Sequence, residues 1–195
     1  KFRLFLLALL LCFAANAQQK RVALLIGNNE YDGRFQRLST SINDVEGMRN
    51  VLKKMGFDTV IVGKNVERGS MSAYLDKFSK LANGADLALF YYSGHAGIDN
   101  KKLLYLAPSG SYYNQATLVE DCYSFETVVR KVKMIGTPVK LFIVDACRNT
   151  LDDTKGEIKD FSIDAFNRNI STDKGMADWF SSSVGQASHT GNGKY

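Results

Sequence analysis

Two stretches decide the fold: Leu87-Ala88-Leu89-Phe90-Tyr91-Tyr92, which runs into Ser93-Gly94-His95-Ala96-Gly97, and Val139-Lys140-Leu141-Phe142-Ile143-Val144, which runs into Asp145-Ala146-Cys147-Arg148. A short, nearly continuous apolar run that stops at small or polar residues is the pattern of a strand buried on both faces. Val22-Ala23-Leu24-Leu25-Ile26, ending at Gly27, has the same character, and Thr59-Val60-Ile61-Val62 is a fourth such strand. Leu103 to Leu106 reads as a strand or half of a hairpin.

Helical spacing fills the intervals. Val45, Met48, Leu52 and Met55 predict a helix over Ile42 to Met55, with Ser41 or Asn43 as its cap and Gly56 in the C-terminal glycine position. A second helix opening at Ser70 places Met71, Tyr74, Leu75, Phe78 and Leu81 on one face and closes at Asn83-Gly84. Phe125, Val128, Val129 and Val132 define a third, ending near Gly136. Strands alternating with helices of this length predict an α/β domain, a mostly parallel sheet flanked by helices on both faces. The sequence shows no internal repeat.

Composition bounds the function only loosely. The chain has 195 residues with 25 basic against 20 acidic side chains, a net charge of +5. That excess is too mild to point to a nucleic-acid partner, which calls for a concentrated basic face. Two prolines and 16 glycines exclude a collagen-like or low-complexity chain. Nothing in the composition bears on oligomeric state.

The first residues read as a leader. Lys1 and Arg3 flank the start of the apolar run Leu4 to Ala15, and Ala15-Asn16-Ala17 supplies the small residues of a cleavage site. Residues 1–17 are therefore expected to be a secretory signal peptide. The run is too short for a membrane anchor, which needs about 20 apolar residues. No stable span is expected once the leader is gone, and the mature chain, starting at Gln18, is expected in a periplasm or outside the cell. Cys12 leaves with the leader, so Cys122 and Cys147 remain.

Residues 149–178 break the alternation of strands and helices. Charged residues such as Asp152, Asp153, Lys155, Lys159, Arg168, Lys174 and Asp178 are separated by only scattered apolar ones. This stretch reads as a long mobile surface loop, with order returning at Trp179-Phe180.

Ligands of open parallel sheets bind beyond the carboxyl ends of the strands. His95, one of two histidines, and Cys147 leave the same predicted edge. A free thiol has a pKa of about 8.5 and reacts as its thiolate, so a nucleophilic cysteine needs a base beside it. Three readings of Cys147 stand at this level: a nucleophile served by His95, a buried structural thiol, or a disulfide with Cys122. The glycines around His95 suit tight turning and leave backbone N–H groups for an oxyanion. His189, in a polar tail, reads as incidental.

The motifs Ala23-Leu24-Leu25-Ile26-Gly27-Asn28, Ile42-Asn43-Asp44, Tyr91-Tyr92-Ser93-Gly94-His95 and Asp145-Ala146-Cys147-Arg148 resemble, in order and spacing, those of the caspase-like cysteine peptidases, with the bacterial metacaspase-like branch as the nearest pattern. The resemblance covers residues 21 to 150. It implies a caspase–haemoglobinase-like fold, a large-subunit region over 18–148, a processing loop over 149–178 and the start of a small subunit over 179–195. For such a family 195 residues is short, and the C-terminal part is expected to be truncated.

The resemblance also implies roles. His95 corresponds to the general acid/base and Cys147 to the nucleophile, with an oxyanion hole from the backbone N–H groups of Cys147 and Ala96, the latter standing where many relatives carry glycine. Asp44, Ser93 and Asp145 match the acidic substrate pocket of the metacaspase branch, which takes Arg or Lys before the cut through charge-assisted hydrogen bonds. Asp44 also reads as a helix-start carboxylate and Asp145 as a turn carboxylate. The expected partner is a peptide or protein substrate, with self-cleavage in the charged loop.

No cofactor is implied. Asp99, Glu120, Asp121 and Glu126 are too scattered for a calcium cage, so no metal is expected. No G-x-G-x-x-G or P-loop follows the first strand, which weakens a nucleotide-binding reading. A catalytically silent binding or scaffold module on the same fold is the rival to the enzyme.

Overall fold

The apolar run of β1 (Arg21–Gly27) is buried over its last six residues and feeds two separate cores. Val22, Leu24 and Ile26 enter one cluster and Ala23 and Leu25 the other, as strand alternation requires. The computed structural model describes residues 19–32, 37–99, 101, 103–112, 117–148 and 174–180. The expected leader, most of the charged stretch after Arg148 and His189 lie outside the described residues.

In chain order, β1 is followed by α1 (Ser41–Lys54), β2 (Thr59–Lys64), α2 (Arg68–Ala82), β3 (Leu87–Ile98), β4 (Leu104–Leu106), α3 (Leu118–Asp121), β5 (Tyr123–Ser124), α4 (Phe125–Lys133), β6 (Val139–Arg148) and β7 (Met176–Phe180). Among the described residues these strands form one seven-stranded sheet. Its main body has the order β2-β1-β3-β6-β7 and every pair in it is parallel. Parallel neighbours bring all five carboxyl ends to one edge. The short strands β4 and β5 add an antiparallel extension.

The helices cover both faces. Met71, Leu75, Phe78 and Ala82 of α2 and Phe125, Val128, Val129 and Val132 of α4 pack with Phe90, Tyr92 and Phe142. Phe90, Phe125 and Phe142 meet as a triangle with ring centroids 6.0–6.5 Å apart. On the opposite face Val45 and Leu52 of α1 pack with Leu25, Leu89 and Tyr91. This is the α/β arrangement expected from the alternating pattern.

Several boundaries differ from the sequence reading. The cap of α1 is Thr40, not Ser41 or Asn43. Leu81 is 36% exposed, and Ala82 completes the buried stripe of α2 in its place. β3 continues past Tyr92 to Ile98, and β6 past Val144 to Arg148, because the two strands stay paired through the polar residues. β7 begins at Met176, so the last residues of the charged stretch belong to a strand beside β6.

Candidate functional site

The site grows out of a close approach at the end of β1. A Cβ on Gly27 would lie 2.5 Å from the Ser41 carbonyl oxygen and 2.9 Å from Val45, so only glycine lets the start of α1 rest against the strand end. Gly27 is the register partner of Ser93 in β3. The first turn of α1 is thereby held over Ser93, whose hydroxyl donates to Asp44 Oδ2 at 3.0 Å. On the other edge of β3, Ser93 pairs with Asp145 of β6.

Asp44, Ser93 and Asp145, grouped by the family resemblance, meet at the carboxyl edge of the sheet. Burial holds the Asp44 carboxyl above its ordinary range. The Ser93 hydroxyl opposes that rise by hydrogen bonding the charged form, and the negative charge of Asp145 adds to it. Asp44 also occupies the first turn of its helix, as its helix-start reading expects.

Two positions further along the same strands, His95 and Cys147 are register partners. Neighbouring strands lie about 4.8 Å apart, so the backbone alone sets these residues side by side. His95 is buried at 5% exposure and lies within β3, not in a turn beyond it. Its backbone N–H donates to Tyr31 Oη at 3.0 Å. Its carbonyl accepts from Tyr92 Oη at 2.7 Å and from the Ala107 N–H at 2.9 Å. The Tyr31 and His95 rings meet near edge-on, centroids 4.7 Å apart at 64°.

Ala96 is paired with Leu106 of β4 on one side and Arg148 of β6 on the other. It sits between two strands and is fully buried.

Cys122 is a free, buried thiol near Tyr31 and Tyr105 in a cluster under the β4 edge. The disulfide alternative therefore falls. Burial pushes the Cys122 thiol up to about 12, which leaves it uncharged at neutral pH and unsuited to nucleophilic work. Asp99 caps the β3–β4 turn by accepting the N–H groups of Lys101 and Leu103, and Asp121 accepts from Thr117. Among the described residues no group of three or more His, Cys, Asp or Glu side chains converges as a metal site.

Sequence reasoning missed Tyr31 and the polar roles of Tyr92 and Asn28, which it quoted only as members of motifs. Asn28 is fully buried, accepts the Val66 N–H and donates to the Ala107 carbonyl, tying β1, β2 and β4 together. The one signal available was an aromatic residue inside the polar turn Asn28-Asn29-Glu30-Tyr31. A cavity of about 730 Å³, lined by Glu30, Asp32, Arg37, Glu67 and Arg68 among others, opens beside Tyr31. None of the site residues named from the sequence lines it.

Comparison with known proteins bears on this geometry. Residues 20–195 match the family described as Caspase domain. The chain is 34% identical over 93 residues to Metacaspase-1 of Mycosarcoma maydis, a match covering 43% of this chain and 23% of that protein. It is 25% identical over 137 residues to Caspase a of Danio rerio, covering 67% of this chain and 34% of that protein. The chain thus spans about a quarter to a third of the length of these curated relatives.

Proposed function

The chain belongs to the caspase domain family, and from that premise we propose that it is a cysteine endopeptidase of metacaspase-like specificity, cutting after Arg or Lys with His95 and Cys147. The observation that supports this reading most directly is the register pair His95↔Cys147, with Asp44, Ser93 and Asp145 gathered two positions before it.

The chemistry runs in two halves. His95 takes the thiol proton, and the Cys147 thiolate attacks the scissile carbonyl carbon. The oxyanion collapses as His95 protonates the departing amine, leaving an acyl thioester. Water, deprotonated by His95, then releases the acid and restores the thiol. His95 and Cys147 supply the general acid/base and the nucleophile of both halves. The guanidinium or ammonium of the residue before the cut lies between Asp44 and Asp145, where two carboxylates offer charge-assisted hydrogen bonds.

An oxyanion hole from the N–H groups of Ala96 and Cys147 requires the end of the β3–β6 ladder to part, since Ala96 has a strand on each side. That closed ladder is also the feature favouring the rival reading, a catalytically silent binding or scaffold module. Self-cleavage at Lys155, Lys159, Arg168 or Lys174 and export of the chain by residues 1–17 complete the proposal.

Fluorogenic peptides differing only in Arg, Lys or Asp before the cut test it, run on wild type and Cys147→Ala. Hydrolysis after Arg or Lys that vanishes in Cys147→Ala supports the enzyme. Preference for Asp overturns the pocket reading. Absence of covalent labelling by an arginyl chloromethyl ketone in the folded, reduced chain favours the silent module.

A further inference from the structure

We infer that Tyr31 is a positioning residue for His95, an inference that rests on the His95–Cys147 reading above. The need for such a residue lies in the sheet. β1 pairs with β3 as far as Gly27↔Ser93, and β4 takes over the same edge only at Ala96↔Leu106. Ala96 is partnered by β4 and β6 at once, so these two strands lie on opposite edges of β3. Among the described residues no strand pairs with the β1/β4 edge between Ser93 and Ala96.

Gly94 and His95 occupy that gap. There Tyr31 Oη accepts the His95 N–H, and Tyr92 Oη, with one proton to give, lies 2.7 Å from the carbonyl oxygens of both His95 and Ala107. Two phenols, together with the Ala107 N–H on the His95 carbonyl, supply the backbone bonding of this stretch. A Cβ on Gly94 would lie 2.4 Å from Tyr31 Oη and 2.6 Å from Tyr92 Oη. The glycine before His95 is thus required by the tyrosine hydroxyls, a reason distinct from the turn and oxyanion roles expected from the sequence.

Tyr31 acts on the side chain as well as the backbone. Its ring meets the imidazole at 4.7 Å. The loop that carries it is pinned on several sides: Asn65 Oδ1 accepts the N–H groups of Asn29 and Glu30, Ser111 O accepts that of Asp32, and Glu30 O accepts that of Gly110. A ring held this way limits the swing of the imidazole away from the strand that carries Cys147. Proton transfer in both directions depends on that geometry, and a small displacement of a general base is expensive in rate.

The experiment measures the rate of Cys147 alkylation by iodoacetamide against pH in the full chain, with Cys147→Ala as blank, together with kcat and KM on an arginyl peptide. Tyr31→Phe keeps the ring and loses the acceptor; Tyr31→Leu loses both. Tyr74→Phe on α2 is the structural control. In wild type the acid limb is expected well below the free-thiol value of about 8.5. Tyr31→Leu is expected to move it upward by about one pH unit and to lower kcat roughly tenfold with KM little changed. Tyr31→Phe falls between, and suffices alone if the leucine variant does not fold. Tyr31 variants that keep the wild-type limb and kcat overturn the positioning role and leave the His95–Cys147 reading intact. A wild-type limb already at the free-thiol value overturns both.

Discussion

The Ser93 hydroxyl donates to Asp44 Oδ2 at 3.0 Å, joining the central strand of the sheet to the first turn of α1. The bond orients one carboxylate oxygen toward the sheet, and Asp145 pairs with the same serine from the next strand. A cationic side chain placed there meets two carboxylates on different elements. Asp44→Asn or Asp145→Asn is therefore expected to raise KM for arginyl peptides and to lower kcat/KM roughly thirtyfold, the worth of a charge-assisted hydrogen bond. Steady-state kinetics on matched Arg and uncharged peptides check this: an equal loss on both would place the effect outside the pocket.

The pH dependence has two opposite signs. In the proposed pocket an arginine would need Asp44 ionised, and burial raises this carboxyl above its ordinary value of 3.8. Binding of an arginyl inhibitor is therefore expected to weaken with acid at a higher pH than an ordinary aspartate would give. Stability runs the other way. The folded chain holds this proton more tightly than the unfolded one, so the contribution of Asp44 is fully present below 3.8 and is lost as pH rises through the raised value. Asp44→Asn should accordingly melt higher than wild type at neutral pH while binding the inhibitor less well. Thermal melts of the two proteins at neutral pH test the sign.

Gly27→Ala is expected to loosen the fold and the pocket together. The added Cβ meets backbone at Ser41 and the Val45 side chain, and relief comes only by moving α1 off β1. A loss of about 1–3 kcal/mol in urea denaturation is expected, typical of overpacking. KM for arginyl peptides should rise in parallel, because α1 carries Asp44. A rise in stability would show that the helix start is not held against the strand.

The aromatic triangle offers a test free of the site. Phe142 is buried between Phe90 and Phe125. Phe142→Ala is expected to cost about 3–5 kcal/mol of stability. At a temperature where the variant is folded, kcat should stay near wild type, since the triangle lies on the face away from α1.

The strands were legible because a strand covered on both faces must be apolar throughout, and Leu24, Phe90 and Phe142 announce that directly. The convergence of Asp44, Ser93 and Asp145 was legible only through resemblance, since nothing local to Asp44 says that α1 will lie over Ser93; Gly27 sets that, through space a side chain would fill. The length of β3 was hidden for a related reason. Ser93, Gly94 and His95 look like the end of a strand, yet partners on β6 keep them in it. Tyr31 was least visible of all, because the gap it fills exists only after β1 and β4 have been assigned to one edge.

The ladder between β3 and β6 runs unbroken from Leu87↔Val139 to Ala96↔Arg148, and His95 meets Cys147 because each stands equally far from its first paired residue. What brings the two together is a matter of counting along the chain. Substitutions that preserve pairing can accumulate on both strands without separating them, whereas one inserted or deleted residue between Leu87 and His95, or between Val139 and Cys147, sets His95 opposite Ala146 or Arg148 and turns the following side chains to the wrong face. These two segments should tolerate drift in composition and refuse any change of length.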